Sequence, residues 1–313
     1  MKNILVSGVR SVIGQGIVKS LKEYKVNIYG CEYFPYSPVE KYLKKNFLLP
    51  DIFKKKNLNN WKKQILKIIT SSKIDLVIPG TDFEVNYFSI YQNFFEKNSN
   101  CKVLVSNKKV INIANNKWQS YNFFKKNNFS TPKTFLNLSQ IIKKKYPLII
   151  KPKIGNGSKN IFLANNLKEL KFFSNYVKNS IIQEFVKKNY DEYTAGGFFE
   201  NDSIKSLIIL KKKIKKGNTI KADIFSDDYV KNELEKMIMV LKPNGPINIQ
   251  FFYNKINKKI FFIEINPRFS GTTYFRTLLG YNELGNLFNK KPINKLNNQY
   301  SVIRYYDEKK IKK

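Results

Sequence analysis

The 313-residue chain contains no histidine, only four arginines (Arg10, Arg268, Arg276 and Arg304) and two cysteines. The missing histidine excludes Ser-His-Asp and Cys-His nucleophile systems, imidazole metal sites and a histidine proton switch. Any catalysis must therefore run on carboxylates, amides, lysines, metals or bound phosphates. Cys31 and Cys101 share no CxxC spacing, so neither a zinc site nor a disulfide framework is expected, and reduced structural cysteines fit a cytosol. No run approaches the roughly 18 apolar residues that a membrane span needs. Residues 1–9 pass directly from Met-Lys-Asn into Ile-Leu-Val, without the apolar core of a secretory signal. A soluble, cytoplasmic protein with no membrane partner is expected.

The scarcity of arginine also bears on charge. Lys plus Arg number 57 against 23 Asp plus Glu, a formal charge of +34. Such a balance ordinarily points to nucleic acid or an anionic membrane surface. A protein gripping DNA would use arginine for bidentate phosphate and guanine contacts, and here the clusters at 54–56, 143–145, 211–213 and 309–313 are scattered lysines. They read as solvated surface, with no nucleic-acid partner.

What is present is apolar surface: 42% hydrophobic and 15% aromatic residues, enough to offset chain entropy and form a large core. At roughly 100–200 residues per domain, two domains or one subdivided unit are expected. The opening reads strand (Ile4 to Val6), glycine turn (Gly8, Gly14, Gly16) and helix (Ile17, Val18, Leu21), followed by a second strand at Val26 to Tyr29. Further buried strands are expected at Ile74 to Ile78 and Val103 to Val105, with helices at about 58–71 and 84–96. Residues 1–105 thus form a small open α/β domain of Rossmann-like type. The glycines depart from strict GxGxxG, although Glu32 lies near the position of a ribose-binding acid. A scaffold using its strand ends for another purpose is the better reading.

Beyond Ser106, a helical stretch carries Lys117, Trp118, Tyr121, Phe123 and Phe124. A strand at Tyr146 to Ile150 then runs into Lys151-Pro152-Lys153-Ile154-Gly155-Asn156-Gly157-Ser158-Lys159. Glycines interleaved with Ser and Lys behind a strand can surround phosphates with backbone N–H groups and ammonium heads; a surface hairpin with outward lysines is the alternative. Ile181-Ile182-Gln183-Glu184-Phe185-Val186 is another strand, with Glu192 following. Two apolar strands, Ile247 to Tyr253 and Ile260 to Arg268, flank a Lys/Asn turn. Alternation puts Glu264 and Asn266 on one face, near Gln250 if the strands pair antiparallel. Polar groups gathered inside an apolar sheet are costly unless they bind something, and oxygen ligands of this kind suit magnesium. Simple pairing of Glu264 with Arg268 is the competing reading.

This ordered set resembles the ATP-grasp superfamily, in particular the branch of carbamoyl phosphate synthase large-subunit domains. The resemblance rests most on Glu264-Ile265-Asn266-Pro267-Arg268 and spans nearly the whole chain. It implies a Rossmann-like pre-ATP-grasp domain over 1–105 and a two-lobed α+β ATP-grasp domain over 106–313, with a small lobe at about 130–187 and a large lobe at about 188–300. It further implies ATP with two Mg²⁺ ions, for which Mn²⁺ could substitute. Lys117, Lys151, Lys153 and the loop Gly155, Gly157, Ser158 and Lys159 would hold the phosphates. The hinge Gln183, Glu184, Phe185 and Val186 would take the adenine, and Glu192 the ribose. Gln250, Glu264 and Asn266 would bind metal, and Arg268 with Lys151 and Asn266 would serve catalysis. Gln250 stands where many members carry a carboxylate, an amide found in the carbamoyl phosphate synthase-like branch.

The implied activity is ADP-forming ligation of a carboxylic acid to an amine or ammonia through an acyl phosphate. The alternatives are carboxyphosphate formation of carbamoyl phosphate synthase or biotin carboxylase type, and a non-catalytic nucleotide-binding subunit. A homodimer and a separate ammonia-supplying partner are compatible with it. Acceptor selectivity is expected from Gly80-Thr81-Asp82, Glu84 and the segment Ser270 to Arg276. Arg276 is a candidate anchor for a substrate carboxylate, or else a core or surface arginine.

Overall fold

The computed structural model describes residues 1–141, 146–155, 157, 159–186, 189–215, 217–290, 293–294, 296, 299–305 and 307. Ser158 and the lysine clusters at 143–145 and 309–313 lie outside the described residues. Strands β1 (Lys2–Ser7), β2 (Val26–Glu32), β3 (Lys45–Leu48), β4 (Leu76–Ile78) and β5 (Lys102–Val103) form a parallel sheet in the order β3-β2-β1-β4-β5. Helices α1 (Val12–Leu21), α2 (Leu58–Ser71) and α3 (Asp82–Lys97) accompany it. The apolar runs read as strands and the two expected helices fall on these elements. β3 was not legible, because Lys45-Asn46-Phe47-Leu48 is an edge strand with no buried residue.

The ends of these strands are bound tightly together. Ser11 caps α1 by accepting from the Gly14 N–H at 2.9 Å, and Gly14 packs so closely on the preceding turn that a Cβ would lie 2.3 Å from the Gly8 carbonyl oxygen. Glu32 accepts from the N–H groups of Arg10 (3.0 Å) and Tyr33 (2.8 Å), so its carboxylate fastens the β1–α1 turn. Glu84 is buried, with Thr81 donating to it at 2.8 Å. Burial pushes its carboxyl up to about 8; Thr81, Ser7 and Gly80 hydrogen bonds oppose this and Glu32 adds to it. The folded protein therefore holds this proton where the unfolded chain has lost it, and stability falls as pH rises from the unfolded carboxylate range to about 8. Glu84→Gln is expected to be more stable than the parent, by a margin that widens between pH 5 and 8 and then levels off in urea unfolding. A constant margin across that range would refute the assignment.

Helices α4 (Lys108–Asn115) and α5 (Lys117–Lys126) lead to a four-stranded antiparallel sheet, β6-β9-β7-β8, with α6 (Leu167–Tyr176). Its strands are β6 (Thr134–Phe135), β7 (Leu148–Pro152), β8 (Phe162–Ala164) and β9 (Ser180–Glu184). A larger sheet, β14-β13-β10-β11-β12-β17, is built from β10 (Asp191–Glu200), β11 (Ser203–Lys215), β12 (Asn218–Phe225), β13 (Gly245–Asn254), β14 (Lys259–Asn266) and β17 (Ser301–Ile303). It is completed by α7 (Asp228–Leu241), α8 (Thr273–Leu278) and the pair β15 (Tyr281–Asn282) and β16 (Ile293–Asn294). α4, α5 and α7 cover one face: Val110, Phe124, Leu234 and Met237 join Tyr193, Ile249, Phe251 and Phe262 in one core. The opposite face is divided between a smaller apolar cluster with α8 (Ile208, Leu210, Ala222, Phe275 and Leu279) and the polar side chains of Lys212, Asn248, Gln250 and Glu264. No helix among the described residues is long and apolar enough to cross a membrane.

One irregularity in β14 decides the chemistry of that face. Strict alternation would put Phe262 and Glu264 on the same side of the strand. The β13–β14 register shifts there, with Phe251 opposite Phe262 but Gln250 opposite Glu264, so Ile263 is an extra residue in β14. This bulge keeps Phe262 in the core while turning Glu264 to the open face.

Candidate active site

Two joined cavities lie on the open face. The first, about 260 Å³, sits between the four-stranded and six-stranded sheets and is lined by Lys117, Lys151, Gly155, Gly157, Lys159, Gln183 to Val186, Glu192, Gln250 and Glu264. Ile149, Ile161, Phe252 and Ile263 supply apolar wall. The loop after β7 does connect antiparallel strands, as a hairpin would, but its glycines and Lys159 face the cavity. Lys153 is the exception among the expected phosphate contacts. Its carbonyl accepts from the Lys117 N–H and its N–H donates to the Asn179 carbonyl, while its side chain does not line the cavity.

Lys151 is buried on β7 and donates to Gln183 Oε1 at 2.7 Å, and Gln183 donates in turn to Thr134 Oγ1 at 2.9 Å. Lys117, at the start of α5, donates to the Gly155 carbonyl at 2.5 Å. Burial lowers the Lys151 ammonium to about 8; Lys117 lowers it further and Glu264 opposes. A desolvated ammonium beside a second cation and a carboxylate is suited to receive an anion.

The second cavity, about 310 Å³, shares Gly157, Ile214, Gly217, Gln250 and Glu264 with the first and continues past Lys212, Asn248, Asn266 and Arg268 to Ser11, Asp82, Ser270 to Thr272 and Arg304. Gln250 donates its amide N–H to Glu264 at 2.7 Å and accepts from Lys212 Nζ at 2.5 Å. The order Lys212–Gln250–Glu264 fixes which end of the amide faces which charge. Asn266 Oδ1 accepts from Arg268 at 3.1 Å, and its buried Nδ2 has no partner among the described residues. Arg268 pairs with Asp82, not with Glu264.

A family model described as the ATP-grasp domain matches residues 114–272. The chain belongs to the ATP-grasp family. It is 31% identical over 170 residues to an uncharacterized protein of Mycoplasma genitalium, covering 50% of this chain and 56% of the relative. It is 20% identical over 240 residues to a carbamoyl-phosphate synthase of Methanobrevibacter smithii, covering 71% of this chain and 65% of the relative. The chain thus spans less than two thirds of the length of both. Among solved structures, N5-carboxyaminoimidazole synthetase from Staphylococcus aureus, complexed with ADP, superposes with a TM-score of 0.72 at 13% identity, covering 95% of this chain and 79% of that one. The expected fold class, a Rossmann-like sheet followed by ATP-grasp lobes, agrees with this likeness.

Among the residues that line the two cavities, sequence reasoning missed Lys212, which the expectation of solvated lysines at 211–213 had placed outside. Period-two alternation along β11 turns Lys212 inward between exposed Lys213 and half-buried Lys211, where it pairs with Glu192 at 3.1 Å. The signal was available in the apolar stretch Leu207 to Leu210, which marks the strand whose alternation Lys212 continues. For Arg276, expected either as an anchor for a substrate carboxylate or as a core or surface arginine, the fold shows the core alternative. Its guanidinium is 1% exposed, paired with Glu283 at 2.6 Å and bonded to Asn248, Ser270 and Thr272 at 3.0 Å each. It holds residues that line the second cavity and does not itself reach it. Gly196 makes room for it, since a Cβ there would lie 2.1 Å from the guanidinium carbon.

Proposed function

We propose that the protein is an ADP-forming ligase that activates a small carboxylic acid as an acyl phosphate and transfers the acyl group to an amine or ammonia. The observation that carries this reading is the convergence of Lys117, Lys151 and the Glu264–Arg268 segment, from three separate parts of the chain, on two cavities that share one wall. In this reading the first cavity receives ATP. The apolar residues Ile149, Phe185 and Phe252 flank its base, Glu192 meets the ribose, and Lys117 and Lys151 bind phosphate oxygens. The second cavity receives the acid.

The donor types suit magnesium, and an ion bound there would take the Gln250 and Asn266 oxygens from the hydrogen bonds they accept from Lys212 and Arg268. Among the described residues no group of three or more His, Cys, Asp or Glu could hold a metal, and one carboxylate with two amides suits an ion that phosphate oxygens complete. Glu264, Gln250 and Asn266 would hold it, and when bound it would neutralise charge on the transferred phosphoryl group. An oxygen of the acid attacks the γ-phosphorus, the bond to the β-phosphate oxygen breaks, and ADP leaves with the electron pair. The amine nitrogen then attacks the acyl carbon, phosphate departs, and the surplus amine proton passes to solvent. Lys151 and Arg268 hold the charged oxygens in place, because positioning and electrostatics dominate such transfers. The loop bearing Gly155, Gly157 and Lys159 excludes water from the acyl phosphate.

Protein incubated with ATP, Mg²⁺ and an array of acid and amine pairs should release ADP and phosphate. Glu264→Ala is expected to reduce that turnover by a factor on the order of 100 or more; undiminished turnover would defeat the reading. A carboxyphosphate-forming activity is the second reading, favoured by the similarity to a carbamoyl-phosphate synthase. Its mark is ATP turnover that requires bicarbonate and proceeds with no amine present.

A further inference from the structure

Arg268 is held by a residue that opens a helix of the N-terminal α/β unit. Its Nε donates to Asp82 Oδ1 at 2.5 Å and its Nη2 to Asp82 Oδ2 at 2.8 Å, a bidentate fork between positions 186 residues apart. The pair is mostly shielded, with side-chain exposures of 11% for Arg268 and 19% for Asp82. Asp82 opens α3, directly after the N-cap Thr81, where the helix N-terminus favours its negative charge. The other Nη2 hydrogen goes to Asn266 Oδ1 at 3.1 Å, and Nη1 donates to the Phe269 carbonyl at 2.9 Å. Of the five N–H groups of a guanidinium, one on Nη1 remains for the second cavity.

We propose that Asp82 is a positioning residue for phosphoryl transfer: it aims the Arg268 guanidinium, and through it the Asn266 amide, at the second cavity. The inference rests on the ligase reading above. Without Asp82, the guanidinium is free to swing toward Glu264 or a bound anion, so ground-state binding is kept while transition-state geometry is lost. The ion pair also makes an aimed Arg268 conditional on the docking of the first sheet against the ATP-grasp lobes.

The test compares binding of MgADP with binding of MgADP plus aluminium tetrafluoride, a mimic of the transferring phosphoryl group, by calorimetry. For Asp82→Asn the expected result is MgADP affinity within about twofold of the parent, with the fluoride-dependent tightening reduced about tenfold or more, since a small misplacement of a catalytic group is costly. Arg268→Lys should lose the same tightening, and Asp82→Asn added to it should cost nothing further. A merely structural role would weaken both ligands together. Unchanged tightening in Asp82→Asn, full additivity in the double variant, or no tightening in the parent protein overturns the proposal. If Asp82→Asn fails to fold, Asp82→Glu, which keeps the charge and displaces it, is read by the same criteria. Failure of the parent to bind MgADP at all refutes the ligase reading itself, a separate outcome.

Discussion

Replacing Lys151 with methionine is expected to weaken MgATP binding and turnover by a factor of about 100 or more. Lys151 is 6% exposed, its ammonium bonded to the Gln183 amide beside the glycine loop, and a cation so desolvated interacts strongly with any phosphate that reaches it. Its lowered value of about 8, against 10.5 ordinarily, sets the pH profile. The protonated form binds phosphate, so affinity is full below about 8 and declines as pH rises through it. Calorimetry at pH 7 and pH 9 should show this loss in the parent and a flat, weak response in Lys151→Met. The same shift separates the effect from unfolding. Between about 8 and 10.5 the unfolded chain holds a proton that the folded one has released, so parent stability rises with pH in that window. Lys151→Met keeps the aliphatic length, removes a buried charge and is expected to be at least as stable as the parent at neutral pH. A variant that unfolds, or that binds MgATP as the parent does, would remove Lys151 from the site.

Arg276→Met is expected to cost about 3–5 kcal/mol of stability in urea unfolding, because it strands Glu283 as a buried, unpaired carboxylate. Glu283 is 1% exposed and Arg276 is its salt-bridge partner. The variant also removes the donor that Asn248, Ser270 and Thr272 share. Replacing both members of the pair, as in Arg276→Met with Glu283→Leu, should recover much of the loss, since a well-packed apolar pair avoids the desolvation of both charges. If Arg276 were an exposed anchor for substrate, its loss would leave unfolding unchanged and reduce only affinity for the acid.

The N-terminal sheet was legible because parallel strands, buried on both faces, write continuous apolar runs such as Ile4-Leu5-Val6 and Leu76-Val77-Ile78. The edge strand β3 carries no such run. Strand β10 and the end of β11 were not legible for a related reason: Gly196 and Gly197 interrupt β10, and the lysines between Lys211 and Lys215 give the end of β11 the composition of a solvent-facing loop. The candidate site was legible where its residues are neighbours in sequence. Glu264, Asn266 and Arg268 lie within five positions, as do Gly155, Gly157 and Lys159. Gln250 was placed beside Glu264 from an assumed hairpin, and the observed register pairs them.

Composition and local spacing alone set the chemistry available: a chain without histidine, with lysines and a glycine loop behind one strand and a carboxylate–amide–arginine set at the end of another. Those features are local, and period-two alternation with loop composition is enough to express them. Long-range packing governs where each charge ends up. It put Lys212 inside and Lys213 outside, buried Arg276 against Glu283, inserted Ile263 so that Glu264 leaves the core face, and joined Asp82 to Arg268. Each of these outcomes is fixed by a partner far away in the chain or on a neighbouring strand. A side chain's own type states that it needs such a partner, and only the packed fold states which one it has.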